Sequence, residues 1–183
     1  MSDVLIELQG VTKRFRKRGM TGSSTGTKTV LAGDFNAVRE VSFTIPKDSI
    51  FGLVGESGCG KTTLARSMLY LDPPTMGRVL FDGIDLSTLN AGALRKTRQH
   101  MQIVFQDPNG AMNPRLKVRT SLGEGVRNLG LDRGEVDRRI AEAVDSVGIP
   151  SAHLDRKPRE FSGGQKQRLA LARALTMKPR FLV

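Results

Sequence analysis

Gly55-Glu56-Ser57-Gly58-Cys59-Gly60-Lys61-Thr62-Thr63 reads as a glycine, four further residues and then Gly-Lys-Thr, the spacing of a loop that wraps phosphate. Glycines let successive backbone N–H groups turn inward around phosphate oxygens. The loop then feeds a helix N-terminus, whose unpaired N–H groups and dipole favour an anion. Lys61 adds a point charge for the β- and γ-phosphates of a nucleotide, and the Thr62 hydroxyl is placed to ligate Mg²⁺, a hard cation that prefers oxygen donors. A plain glycine-rich turn requires neither Lys nor Thr at those offsets.

The flanking elements agree with that chemistry. Ile50-Phe51-Gly52-Leu53-Val54 is an apolar run short enough for a buried strand, and Leu64, Ala65, Met68 and Leu69 repeat at helical spacing behind the loop. The helix is expected to stop at Asp72-Pro73-Pro74. Upstream, Val4–Leu8 and Val11–Phe15 read as strands joined by a turn at Gln9-Gly10, and Val41–Ile45 alternates like a half-buried strand that turns at Pro46-Lys47-Asp48. Residues 16–34, rich in Gly, Ser, Thr and Lys, read as a flexible loop.

Downstream, Asp82-Gly83 signals a hairpin and a helix is expected near Leu89–Gln99. The apolar run Met101–Phe105 then ends on Gln106, a polar side chain where open α/β sheets place ligand residues. Asp132 is placed to cap a helix with Glu135 reaching back in a capping box, and Val136, Ile140, Ala143, Val144 and Val147 form one apolar face before Gly148 and Pro150. Phe161-Ser162-Gly163-Gly164-Gln165 leads into a strongly helical run to Leu175, so the Ser-Gly-Gly turn makes a second anion-binding helix start. Arg180–Val183 reads as the start of another buried strand.

The 183 residues, 38% of them hydrophobic, are enough for one ordinary domain with a sizeable core. No apolar run approaches a membrane span, and the N-terminal residues lack the basic-then-hydrophobic pattern of a leader, so a cytoplasmic protein is expected. Cys59 is the only cysteine. A formal net charge of +11 asks for an anionic partner, yet aromatics total 5% with no Trp, and the basic clusters are scattered. A stacking platform for single-stranded nucleic acid is therefore disfavoured, and solvated faces, nucleotide phosphates or an anionic membrane surface account for the charge as well.

Taken in order, the phosphate loop, Gln106, Ser162-Gly163-Gly164-Gln165 and the following Gln167-Arg168 resemble the ATP-binding subunit of ABC transporters, over nearly the whole chain. Phe105-Gln106-Asp107-Pro108 with Asn113-Pro114-Arg115 is similar to the oligopeptide and dipeptide import branch; nickel and glutathione importers look alike here. The resemblance implies an α/β fold of the P-loop NTPase type, with a mixed sheet core, an antiparallel β subdomain and a helical insertion. As a single domain it divides into a nucleotide-binding core over 1–110, the insertion over 111–165 ending in the signature motif, and a return to the core over 166–183.

The same resemblance implies ATP and Mg²⁺ as cofactors. Phe15 stacks on adenine, residues Gly55 through Thr63 hold the phosphates, and Thr62 and Gln106 serve the metal. Gln106 also touches the attacking water, which makes it the catalytic candidate, and Ser162, Gly163, Gly164 and Gln165 contact the nucleotide of a second ATP-binding subunit. Transmembrane permease subunits and a solute-binding protein are the other implied partners, with no direct nucleic acid and a location on the inner face of the cell membrane.

The family places an aspartate for Mg²⁺ and a water-positioning glutamate just past the position of Val183. The resemblance therefore implies a C-terminally shortened domain that hydrolyses ATP poorly alone. A soluble ABC ATPase acting on nucleic acid, or a nucleotide-binding fragment without turnover, are the alternatives.

Overall fold

A computed structural model describes residues 3–16, 33–107, 110 and 112–183. Most of the loop expected over 16–34 lies outside the described residues; its end residues, Arg16 and Asp34, belong to strands. The chain divides into two compact units at Leu94/Arg95.

In the first unit, Val4–Arg16 forms one strand, β1, where the sequence suggested two. Gly10 explains the difference, because it is a bulge instead of a turn. Its φ is +58°, and the pairing with β2 (Asp34–Pro46) shifts between Leu8 and Val11. The extra residue changes the phase of the strand, so Ile6 and Leu8 are buried before the bulge and Val11 after it. The strands β3 (Met76–Phe81) and β4 (Ile84–Asp85) complete an antiparallel sheet in the order β2-β1-β3-β4. The expected hairpin between β3 and β4 forms, with Asp82 and Gly83 both at positive φ. Gly77 fits against the β1 bulge, where an added Cβ would lie 2.4 Å from the Gly10 carbonyl oxygen.

Helix α1 (Lys61–Met68) packs Leu64 and Met68 into this unit's core. It ends before the prolines. Tyr70 takes a left-handed φ of +55°, and Tyr70 N and Leu71 N donate to the carbonyls of Ser67 and Arg66, a Schellman-type stop that closes the helix four residues earlier than proline alone would. Arg66 then hydrogen-bonds Asp72 at 2.5 Å and holds that carboxyl below its ordinary range.

The unit boundary falls inside α2 (Ala91–Arg98), whose start is capped by Asn90 accepting from Ala93 N. In the second unit, β5 (Met101–Gln102) pairs in parallel with β6 (Phe181–Leu182). Residues Ile103–Phe105, expected to continue the strand, lie outside this ladder. Beyond it Val104 N donates to Val183 O, and Phe105 is exposed.

Three helices, α3 (Val118–Arg127), α4 (Arg133–Ser146) and α5 (Gly163–Leu175), enclose this unit's core. The apolar face expected on α4 is present, with Val136, Ile140, Ala143 and Val144 buried and Val147 packed beside them. Truncating Ile140 to alanine there would cost about 2–5 kcal/mol. Asp132 caps α4 as expected, accepting from Glu135 N at 3.0 Å. Glu135 does not close the box. Its carboxylate is taken by Arg139 and Arg138, whose hydrogen bonds hold it below the ordinary glutamate range. Charged donors outcompete a backbone amide for the same oxygens.

Candidate functional site

The phosphate loop ends at Gly60, which has φ +96° and precedes α1 with no side chain capping the helix. Only glycine fits here, because a Cβ would lie 2.2 Å from the Ala37 carbonyl oxygen. Ala37 is itself the extra residue of a β2 bulge, since Lys13 pairs with Val38 while Arg14 pairs with Asn36. A sheet irregularity therefore sets where the loop meets the helix.

Lys61 folds back over the loop, its Nζ donating to the carbonyls of Gly55 and Glu56 at 2.6 Å each and lying 3.6 Å from Cys59 Sγ. Ser57, Gly58 and Cys59 form the turn between, with Gly58 at φ +81° and Cys59 N donating to Glu56 O. Thr62 is exposed and Thr63 half-buried on the first turn. The run expected to be a buried strand before the loop is not one. Ile50–Val54 belongs to neither sheet among the described residues, Ile50 and Val54 are 104% and 93% exposed, and Phe51 stacks on Phe43 with centroids 5.0 Å apart. Apolar content makes a strand only where neighbours take its N–H and C=O groups.

Phe15 lies in this same unit, paired with Phe35 across β1 and β2. The rings stack with centroids 5.7 Å apart, and Lys13 Nζ lies 5.5 Å from the Phe15 centroid.

In the second unit, Ser162 caps α5 with a complete capping box. Gln165 N donates to Ser162 Oγ at 3.3 Å, and Ser162 N donates to Gln165 Oε1 at 2.9 Å. Gly163 and Gly164 are exposed, with nothing within 4 Å of an added Cβ. Phe161, just before them, is buried in the helical core with the ring of His153 edge-on to it. The turn is thus anchored on one side and open on the other. Gln106 is exposed, following Phe105.

Residues 38–183 match the family model described as ABC transporter. The chain belongs to the ABC transporter family. This ABC chain is 39% identical over 180 residues to a putative peptide import ATP-binding protein of Brucella ovis, covering 98% of the chain and 53% of the relative. It is 40% identical over 184 residues to an oligopeptide transport ATP-binding protein of Bacillus subtilis, covering 99% and 54%. With a dipeptide transport ATP-binding protein of Lactococcus lactis the identity is 44% over 155 residues, covering 82% and 50%. The chain thus spans about half the length of the curated relatives it matches.

Among solved structures, a dimeric bacterial ABC transporter cassette superposes with a TM-score of 0.81 at 28% identity, covering 97% of this chain and 72% of that one. A dimeric post-hydrolysis cassette bound to ADP and Pi gives 0.80 at 27% identity, with the same coverage of 97% and 72%. Those likenesses carry the P-loop fold with its antiparallel sheet and helical unit.

Seen in this family, the ABC chain also shows what its motifs omit. Phe35, Lys13 and the Ala37 bulge carry no motif of their own, because each matters only through a partner across the sheet. An alternating strand containing Phe35 opposite one containing Phe15 was the available signal. Among the described residues no helix is long and apolar enough to cross a membrane.

Proposed function

We propose that this ABC chain is the ATP-binding part of an importer's motor, that peptides are the cargo, and that ATP-driven closure of a head-to-tail dimer powers transport. The observation that carries the reading is Lys61 held on the carbonyls of Gly55 and Glu56 above a helix start that no side chain caps. Phosphate oxygens are stronger acceptors than those carbonyls, so an arriving triphosphate draws the ammonium into charge-assisted bonds. The names of the curated relatives support peptides as cargo.

The donor set fits a magnesium nucleotide, since an exposed threonine hydroxyl stands on the first turn of α1 beside the glycine loop. Thr62 and Gln106 would hold Mg²⁺, which when bound neutralises phosphate charge. Phe15 stacks on adenine, and Gly55, Glu56, Ser57, Gly58, Cys59, Gly60, Lys61 and Thr63 cradle the phosphates. Gln106 orients the attacking water through its amide. Ser162, Gly163, Gly164 and Gln165 receive the γ-phosphate of the nucleotide on a second ATP-binding subunit, so ATP favours the closed pair and its hydrolysis removes the bridging charge. Permease subunits and a solute-binding protein complete the system, with this subunit peripheral on the inner membrane face.

Calorimetric titration with MgATP tests this. Lys61→Ala is expected to weaken binding about a hundredfold, the loss of one well-placed charged hydrogen-bonding group. Unchanged affinity would sink the nucleotide reading. Salt-sensitive DNA binding without co-purifying membrane subunits would overturn the transport part.

A further inference from the structure

Phe35 and Phe15 are direct cross-strand partners near the ends of β1 and β2. Phe35 is 48% exposed, so it is not a core residue, and its ring stacks on Phe15 at an interplanar angle of 29°. Phe15 is half-buried, and the Lys13 ammonium lies over its ring, 5.5 Å from the centroid. That ammonium is tied down in turn, donating to the Pro73 carbonyl at 2.6 Å just beyond α1. Two residues along β2 from Phe35 stands Ala37, whose carbonyl abuts Gly60 of the phosphate loop. One stretch of β2 backbone therefore links the ring pair to the loop contact.

We propose that Phe35 is a positioning residue for nucleobase binding: it backs the Phe15 ring, fixes its plane, and through β2 sets that plane at a constant distance from the phosphate loop. The inference rests on the reading of Phe15 as the residue that stacks on the base. A lone phenylalanine on a strand end rotates freely, and ordering it on binding costs affinity. A ring already stacked on a neighbour presents its remaining surface in place. Phe35 does not touch the base; it acts through Phe15. The ligand class it favours is a nucleotide with a flat aromatic base joined to a triphosphate, and inorganic triphosphate gains nothing from it.

Titration calorimetry on the full 183-residue chain with MgATP and, separately, with magnesium tripolyphosphate reads this directly. Phe35→Ala is expected to weaken MgATP about threefold to tenfold and to leave tripolyphosphate unchanged, while Phe35→Tyr retains the wild-type affinity. The Phe15→Ala, Phe35→Ala double variant should bind MgATP no more weakly than Phe15→Ala alone, because the second ring acts only through the first. If Phe15→Ala weakens MgATP and Phe35→Ala does not, the positioning role is wrong and the base-stacking reading survives. If Phe35→Ala weakens both ligands equally, the effect runs through Ala37 and Gly60 and the proposal falls. If Phe15→Ala itself changes nothing, base stacking fails and takes the proposal with it.

Discussion

Helix α1 begins at a glycine with no capping side chain, whereas α5 begins at a serine clasped to its own glutamine. Both starts leave backbone N–H groups facing outward, the requirement for receiving an anion. They reach that state by different physics. The α1 start is fixed from outside, by Gly60 lodged against the Ala37 carbonyl of a bulged strand, and its charge is supplied by Lys61 folded over the loop. The α5 start is fixed from within four residues, by two reciprocal hydrogen bonds between Ser162 and Gln165. On the proposed function, the site that holds a triphosphate by itself depends on tertiary structure, and the one that meets a phosphate held on a second subunit needs only a preformed helix end.

The largest effect should come from adding one methyl group to each start. In Gly60→Ala the Cβ meets the Ala37 oxygen at 2.2 Å on a backbone of φ +96°. The left-handed conformation alone costs about 1–2 kcal/mol, and relieving the clash adds to it. Urea denaturation should show that loss, together with weakened MgATP binding. Gly163→Ala meets nothing within 4 Å, so stability should be unchanged or raised by a few tenths of a kcal/mol. Equal losses at the two glycines would erase the distinction between a tertiary and a local helix start.

That contrast also marks what could be read from sequence. Features written in a few adjacent residues were legible: the phosphate loop, Asp82-Gly83, the Asp132 cap, and Ser162 to Gln165 leading into α5. Features belonging to two strands at once were not. Gly10 looks like a turn because its role as a bulge exists only in register with β2, and the same holds for Ala37. The Phe15–Phe35 pair is separated by residues whose length hides the register. Ile50–Val54 has the composition of a buried strand but no ladder in either sheet among the described residues. The stop of α1 at Tyr70 was masked by two prolines that gave a sufficient, later reason to end. Glu135 matched a capping box, yet two arginines on the next turn of the same helix claim it.

A smaller effect tests the local start. Ser162→Ala removes the hydroxyl that accepts from Gln165 N, and loss of such a cap costs about 1 kcal/mol. Hydrogen exchange at the amides of Gln165 and Lys166 should speed up roughly fivefold, since 1 kcal/mol is about that factor. The same change at Ser57, in the tertiary site, leaves the α1 start as it was, because no side chain caps it. Unaltered exchange in Ser162→Ala would mean that burial of Phe161, not the box, holds the α5 start.

Gln165→Ala is the finest probe, because it removes one arm of the box and leaves the other. Ser162 Oγ still accepts from the backbone of residue 165, while Ser162 N loses its partner, Gln165 Oε1. Ser162 is exposed, so water replaces that partner, and the cost falls at the low end for a hydrogen bond, about 0.5 kcal/mol. Gln165→Glu keeps the acceptor and adds a negative charge on the first turn, which the helix dipole favours by about 0.3–1 kcal/mol. Stability should therefore rank Glu at or above Gln, and both above Ala. In the proposed head-to-tail pair that carboxylate would stand where the γ-phosphate is received, so nucleotide-driven dimerisation should rank the other way, with Glu below Gln. If dimerisation followed the stability order, Gln165 would be only a cap, and the open face of Gly163 and Gly164 would have no phosphate to meet.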